Sequence, residues 1–499
     1  MNSMITLTID NQEVSVDEGA TVLDAARALG IEIPTLCHWG GCTPQTSCMV
    51  CLVKVEGMSR MLPSCATPAA EGMRVQSQTS EVIEARRTAL ELLLAEHLGD
   101  CLAPCQLASA HRVHIPQLLR QVMAGDMNAA IKTLTAEVAL PAILTRIEDE
   151  PAEKACRRMY QDAAVAIGAI ERHVADANLA AGPRVPQCAA ATGKRVAVIG
   201  AGVAGLSAAY FLQRSGHACT LFDRGDWPGG KLRGVPEDLL HPHVAAKEIG
   251  VIAKMGVVFE MKTAIGSQRP LAELAREYDA VVVAAGESFS DNAAAPNIFR
   301  AGAAHRPGMS ALRAAADGKD AASRVDQFLN GRDVTGLDKP FSTRMGRPTE
   351  DDVKVFMHAV SPARRWTDTG DRSVLTDEQA AAEAARCMHC DCRKADNCRL
   401  RDWSDALDAA VNRYHLPRPP FAQDLRHADV IYEAGKCIKC GLCVAICQQD
   451  GEPLGLSITG RGFNVEIAVP FDKPLSDAFT NAAQACIEAC PTGALAFKE

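Results

Sequence analysis

The sequence contains no run of 18 or more apolar residues, and about that length is needed for a helix to span a bilayer. It also lacks a strong charge bias: 52 Lys and Arg face 61 Asp and Glu, a formal net charge of −9. That balance argues against a nucleic acid partner and fits ordinary solubility. The opening MNSMITLTIDNQEVSV has no export-signal pattern; its apolar and polar residues alternate as in a strand. Among thirteen histidines there is no H-x-x-x-H or H-E-x-x-H arrangement, and His241 and His243 flank a proline as in a solvated turn. No Ser–His–Asp or paired-carboxylate case follows from spacing, so no catalytic side chain is expected. Cysteine, by contrast, is plentiful.

Twenty cysteines in a chain without an export signal point to thiols kept reduced in the cytoplasm. Their short, repeated spacings favour metal or iron–sulfur sites over disulfides. With 499 residues, 47% apolar and 23% charged, the chain is ordinary globular material too long for one core. Five regions are expected: 1–79, 80–190, 191–332, a linker over 333–375, and 376–499.

The first cluster of cysteines runs Cys37-x10-Cys48-x2-Cys51-x13-Cys65, after a hairpin, a helix and a loop. Soft sulfur ligands from a long loop and a tight C-x2-C suit an iron–sulfur centre. A zinc ribbon would want two C-x2-C pairs. The stretch PTLCHWGGCTPQTSCMVCLVKVEG resembles the N-terminal [2Fe–2S] domain of the large iron–sulfur subunit of complex I. It is equally similar to the corresponding subunits of NAD-linked hydrogenases and formate dehydrogenases. The resemblance implies a β-grasp fold with Cys37, Cys48, Cys51 and Cys65 as ligands and Cys42 as a bystander.

After an amphipathic helix, residues 100–176 resemble the N-terminal iron–sulfur domain of the glutamate synthase small subunit. Only Cys101, Cys105 and Cys156 remain there, with His97 four residues before Cys101; Ser109, Glu148 and Ala152 stand where further cysteines are expected. Three thiolates plus a His or Glu can hold a [4Fe–4S] cluster, but four thiolates are the usual set. The segment is therefore expected to be a helical spacer.

KRVAVIGAGVAGLSAAYFLQRSGHACTLFDRGDWPGG places Gly200-x-Gly202-x-x-Gly205 between a strand and a helix, with Asp223 ending the next strand. This is the dinucleotide context: a tight turn, close backbone approach to the pyrophosphate, close helix packing, and an acid for the ribose. The region resembles the flavin-binding half of glutamate-synthase-type proteins, which implies FAD. On that resemblance Gly229, Gly230 and Gly302 also line the cofactor, although Ala303 replaces an expected Asp. In that family a complete nicotinamide-binding domain separates the strand at 281–286 from the segment beginning at Asn297. Here only Glu287–Pro296 intervene, and no second GxGxx(G/A) unit occurs. The chain is not expected to bind NAD(P)H itself.

Near the C-terminus, Cys387-x2-Cys390-x-Cys392-x5-Cys398 offers four thiolates within twelve residues. Zinc or a [4Fe–4S] cluster could take them; similarity to Fe–S/flavin subunits favours the cluster. Cys437-x2-Cys440-x2-Cys443-x3-Cys447 precedes Cys486-x3-Cys490-Pro. By the two-cluster ferredoxin rule, the first three join Cys490 around one [4Fe–4S] cluster, leaving Cys447 and Cys486 over.

The expected fold class is multidomain α/β and α+β. It comprises a β-grasp [2Fe–2S] domain, a helical domain, a single FAD-binding Rossmann-like βαβ domain and a ferredoxin-like iron–sulfur tail. The cofactor set is one [2Fe–2S] cluster, two [4Fe–4S] clusters and FAD. The resemblances imply an electron-transfer subunit of an NAD(P)-linked oxidoreductase complex. Its partners would be an FMN/NAD-binding flavoprotein subunit like that of complex I and a catalytic oxidoreductase subunit, with ferredoxin as a further candidate. A self-contained NADPH oxidoreductase and a structural adaptor with a non-functional flavin site are the alternatives.

Overall fold

The computed structural model describes residues 3–287, 289–291, 293–367, 375–394 and 396–498. The chain forms two compact units, each assembled from separated segments. One consists of Met1–Leu102, Pro340–His358 and Cys390–Glu499; the other of Ala103–Lys339 and Ala359–His389. Part of the expected linker, residues 368–374, lies outside the described residues.

The first unit opens with β1 (Met4–Ile9) and β2 (Gln12–Asp17), joined at Asp10-Asn11. Both turn residues have positive φ, the backbone that a two-residue hairpin turn requires. Helix α1 (Val22–Ala28) starts on a Thr21/Asp24 capping box. Strands β3 (Leu52–Val55), β4 (Leu62–Pro63) and β5 (Arg74–Gln76) complete a mixed sheet in the order β2-β1-β5-β3-β4. Leu7, Ile9, Val53, Val55 and Val75 alternate into a core that also contains Cys51 and Cys65. Helix α2 (Ser80–Glu96), expected to open the helical region, belongs to this unit.

In the second unit, helices α3 (Pro104–Ala108), α4 (Ile115–Met123), α5 (Met127–Glu137), α6 (Pro141–Ile147) and α7 (Ile167–Ala180) share one apolar core. A five-stranded parallel sheet follows, built from β6 (Arg195–Ile199), β7 (Ala218–Phe222), β8 (Val258–Glu260), β9 (Ala280–Val283) and β10 (Ile298–Arg300). Its order is β10-β9-β6-β7-β8. The central strands β6 and β9 are buried along almost their whole length, as expected when both faces of a parallel sheet are covered. The covering helices include α8 (Val203–Arg214), α9 (Pro242–Lys254), α10 (Leu271–Glu277) and α11 (Ala311–Leu329). β10 pairs directly with β9, Phe299 opposite Val282, so the short joint returns the chain to the same sheet.

The C-terminal part of the first unit is small and loop-rich. Strand Val430–Tyr432 pairs antiparallel with Leu495–Phe497, and helices Leu442–Gln449 and Ala483–Ala489 pack beside them. Within the segment expected as linker, Thr349 caps a helix at Glu350–Phe356.

Candidate functional site

The four N-terminal cysteines come together as two pairs. Cys48, Met49, Val50 and Cys51 form a tight turn with positive φ at Met49, and Cys65 follows β4. The sulfurs of Cys51 and Cys65 lie 3.4 Å apart, and Cys37 is hydrogen-bonded thiol to thiol with Cys48. Two thiolates on one tetrahedral metal, each at about 2.3 Å, stand ~3.8 Å apart. Two such pairs match a two-iron cluster, one pair per iron. The hydrogen bond from Cys48 draws the Cys37 thiol down, and that from Cys65 draws Cys51 down. Cys42 instead donates to Gln449 Oε1 at 3.4 Å, and burial with nearby Asp450 pushes its thiol up, so it keeps its proton.

Cys437, Cys440, Cys443 and Cys490 line one small cavity with Tyr432, Ile467 and Leu495. The chain reaches this arrangement through a turn in which Lys439 has positive φ and its N–H donates to Cys437 Sγ at 3.4 Å. Gly441, also at positive φ, then starts the helix carrying Cys443. Cys490 caps the end of Ala483–Ala489. Burial, then the charge of Cys490, pushes the Cys440 thiol up to about 12. Such buried thiols reach their ionised form when a metal replaces the proton. Cys447 and Cys486, left over by spacing, face each other at 3.9 Å.

Within the same unit these two cysteine sites adjoin. Ser47 Oγ donates to the Cys440 carbonyl at 3.4 Å, and Gln449 Nε2 donates to the Gly41 carbonyl at 2.8 Å. The Arg399 guanidinium lies 5.4 Å over the Trp39 ring and donates to the His38 carbonyl.

The run from Cys387 to Cys398 is divided between the units. Cys387 follows helix Asp377–Ala384 and is buried in the core against which Cys105 and Cys156 also pack. Cys390, Cys392 and Cys398 belong to the first unit. Burial, then the neighbouring Cys392, pushes Cys398 up to about 12, with Cys101 adding to the effect. Among the described residues no three His, Cys, Asp or Glu side chains gather closely enough for a single metal ion; a cuboidal cluster spreads its ligands around a cage.

In the second unit, a carboxylate occupies one of the positions lacking cysteine. Glu148 accepts from the Ala311 and Leu312 N–H groups at the start of α11. Glu171 is buried, and burial followed by the charge of Glu150 pushes its carboxyl well up. Nothing in the sequence spacing announced this group.

The glycine-rich turn is built as expected. Gly200 has φ 103°, and a Cβ on Gly205 would lie 1.9 Å from the Gly200 carbonyl oxygen. Gly202 faces open space and heads α8. Asp223 accepts from the Ala201 and Gly225 N–H groups, each at 2.7 Å. Beside it lies a cavity of about 270 Å³ lined by Ile199, Gly200, Asp223, Arg224, Thr263 and Phe289. Gly229 and Gly230 both have positive φ, and Gly230 passes close to Gly202. The backbone, an acid and a cavity thus suit the adenosine end of a dinucleotide. Gly302, at φ 61°, donates its N–H to Asp317 Oδ2 at 2.7 Å; Asp317 also bonds His305 Nδ1 at 3.0 Å. A carboxylate therefore stands near the Gly302-Ala303 step from another element.

The chain carries three recognisable domains of iron–sulfur flavoproteins. Residues 2–80 match the 2Fe-2S iron–sulfur cluster binding domain, 76–182 the dihydropyrimidine dehydrogenase domain II with a 4Fe-4S cluster, and 195–285 the FAD-dependent oxidoreductase family. These domains account for [2Fe–2S], [4Fe–4S] and FAD as its cofactors. The chain is 51% identical to an NADH-quinone oxidoreductase subunit of Rhizobium meliloti over 20% of its length and 12% of the relative's. It is 33% identical to the NADP(+)-dependent formate dehydrogenase subunit beta of Moorella thermoacetica over 37% of its own length and 29% of that protein. It is 34% identical to the oxidoreductase AegA of Escherichia coli over 47% and 40%. It thus spans less than half of each of these curated relatives. Among the described residues no single helix is long and apolar enough to cross a membrane.

Proposed function

We propose that the chain is an electron-transfer subunit of a cytoplasmic NAD(P)-linked oxidoreductase complex. It would pass electrons between an FMN/NAD-binding flavoprotein subunit and a catalytic subunit of the formate dehydrogenase, hydrogenase or ferredoxin-linked bifurcating kind. The contact of Ser47 with the Cys440 carbonyl carries this reading, because it sets the N-terminal cysteine site directly against the C-terminal one. Electron transfer falls steeply with distance, and adjoining sites are what a wire requires.

Cys37, Cys48, Cys51 and Cys65 would hold the [2Fe–2S] cluster in the β-grasp domain. Cys437, Cys440, Cys443 and Cys490 would hold a [4Fe–4S] cluster in the ferredoxin-like tail, and the run Cys387–Cys398 would supply thiolates to a second. Gly200, Gly202, Gly205, Asp223, Gly229, Gly230 and Gly302 would seat FAD. When bound, the clusters carry single electrons and the flavin can take one or two. The protein's own part is to keep the thiols buried, supply N–H groups to sulfur, and pack the two cysteine loops together. The ten-residue joint Glu287–Pro296 and the lack of a second GxGxx(G/A) unit favour this role over that of a self-contained NADPH oxidoreductase.

The test is flavin, iron and acid-labile sulfide per chain in anaerobically purified protein, with NADPH oxidation measured on the same sample. About one FAD and about ten irons support the proposal, and about fourteen would add a cluster at Cys105 and Cys156. Rapid NADPH oxidation by the isolated chain, or the absence of iron, would refute it.

A further inference from the structure

Two thiols in the C-terminal part of the first unit belong to none of the proposed cofactor sites, and they face each other. Cys447 lies in the last turn of helix Leu442–Gln449, and Cys486 in helix Ala483–Ala489. Their sulfurs stand 3.9 Å apart and share a hydrogen bond. Both side chains are buried, in a core with Ile446, Leu456 and Ile487. The backbone holds each sulfur in place: the Leu456 N–H donates to Cys447, and the Cys486 thiol donates to the Cys443 carbonyl at 3.5 Å. Gly455, at positive φ, leaves room for this side chain, since a Cβ there would stand 2.9 Å from the Cys447 Cβ.

A disulfide bond is about 2.05 Å long, so each sulfur has only ~0.9 Å to travel to make one. Rotation about the side-chain bonds covers such a distance. A single metal ion does not account for the pair, because among the described residues no third His, Cys, Asp or Glu side chain completes a site. Cys447 also has a route to solvent. The residues that follow it, Gln448 to Gly451, are all exposed, and a terminal helical turn opens at far lower cost than a core.

We propose that Cys447 and Cys486 form a reversible dithiol–disulfide couple, a two-electron redox site whose co-substrate is a low-molecular-weight disulfide. The Cys447 thiolate attacks one sulfur of that disulfide, forming a mixed disulfide and releasing one thiol. Cys486 then displaces the second thiol and bonds Cys447. One S–S bond breaks and one forms, and the two cysteine protons and two electrons leave with the released thiols. In a reducing compartment such a bond is transient, so it follows the state of the surrounding thiols. The site goes beyond the electron-transfer reading, since it needs no cluster. Its position has a consequence all the same: Cys443 stands four residues before Cys447, and Cys490 four residues after Cys486, about one helical turn each. The bond therefore clasps together the two helical segments that carry those thiols.

The experiment uses the full chain, purified anaerobically and equilibrated with mixtures of oxidised and reduced glutathione. Free thiols are trapped with a maleimide at acid pH, and the peptides are mapped by mass. The expected result is a linked Cys447–Cys486 peptide whose amount follows a single two-electron curve as the mixture is varied. Cys447→Ser and Cys486→Ser should each abolish the link and keep the iron content and EPR signals of wild type. Absence of the link in the most oxidising mixture would leave the pair as core packing and overturn the proposal. Loss of about four irons in either variant would overturn it too, by making these cysteines cluster ligands. If the variants do not fold, the peptide map of wild type decides alone. A chain that carries no iron yet forms the link loses the electron-carrier reading and keeps this one; a chain with full iron and no link does the reverse.

Discussion

Replacing Gly205 by Ala should empty the flavin site and leave the clusters in place. The added Cβ would stand 1.9 Å from the Gly200 carbonyl oxygen and 3.4 Å from Val198 Cγ1. Carbon and carbonyl oxygen keep ~3.3 Å or more, so the start of α8 must move by roughly 1.4 Å from the end of β6. Forcing a methyl into so close a contact costs about 1–3 kcal/mol of local stability. The larger effect is expected on binding, because the shift would displace the N–H groups opening α8, which the proposed FAD site would present to the pyrophosphate. Losing two charge-assisted hydrogen bonds at about 1.5–3 kcal/mol each would weaken FAD by ~3–6 kcal/mol, roughly 10²–10⁴-fold. The assay is FAD per chain as purified, then titration of FAD into flavin-stripped protein, with iron as internal control. A variant that keeps full FAD content and wild-type affinity would refute the assignment of this turn as the cofactor cradle.

Other perturbations report on other parts of the molecule. Cys65→Ser should remove the [2Fe–2S] EPR signal and about two irons per chain, while Cys42→Ser should leave both unchanged. Glu248 accepts from the Ala142 and Ile143 N–H groups at 2.7 and 2.8 Å, and burial pushes its carboxyl from the ordinary 4.5 up to about 8. The folded state therefore holds a proton that the unfolded chain releases. The resulting stability, ~5 kcal/mol at most, is present below pH 4.5 and lost as pH rises through 8. Hydrogen exchange across residues 141–147 should speed up over that range in wild type more than in Glu248→Gln. Arg386 is fully buried and bonds Glu383 at 2.7 Å, Asp162 at 3.1 Å and the Ala363 carbonyl at 2.9 Å. Arg386→Ala strands the buried Glu383 and should cost ~3–5 kcal/mol, read as a large fall in the thermal midpoint.

Several features were legible from short spacing alone. The hairpin of β1 and β2, the strand–turn–helix around Gly200, Gly202 and Gly205, and the C-x2-C turns depend on residues close together in the chain. There the backbone has few choices: a positive φ at Asn11 or Gly200 and an alternating apolar pattern in β1 constrain the local path. The return of residues 297–300 beside the strand at 280–283 was readable only through the family resemblance, since Ile298-Phe299-Arg300 is no continuous apolar run.

The partners of individual thiols were not readable in this way. Spacing grouped Cys387 with Cys390, Cys392 and Cys398, yet Cys387 packs in the second unit and the other three in the first. Cys101 was assigned to a spacer, but its carbonyl accepts from Cys392 across almost three hundred residues. No spacing singles out Glu171; packing alone buries it within reach of the Glu150 charge. The sequence by itself determined which ligand types and which local turns are present, because those rest on covalent spacing and backbone sterics. Only the tertiary structure decided which thiols meet and that Ser47 touches the Cys440 carbonyl, because such meetings depend on how separated segments pack around shared cores.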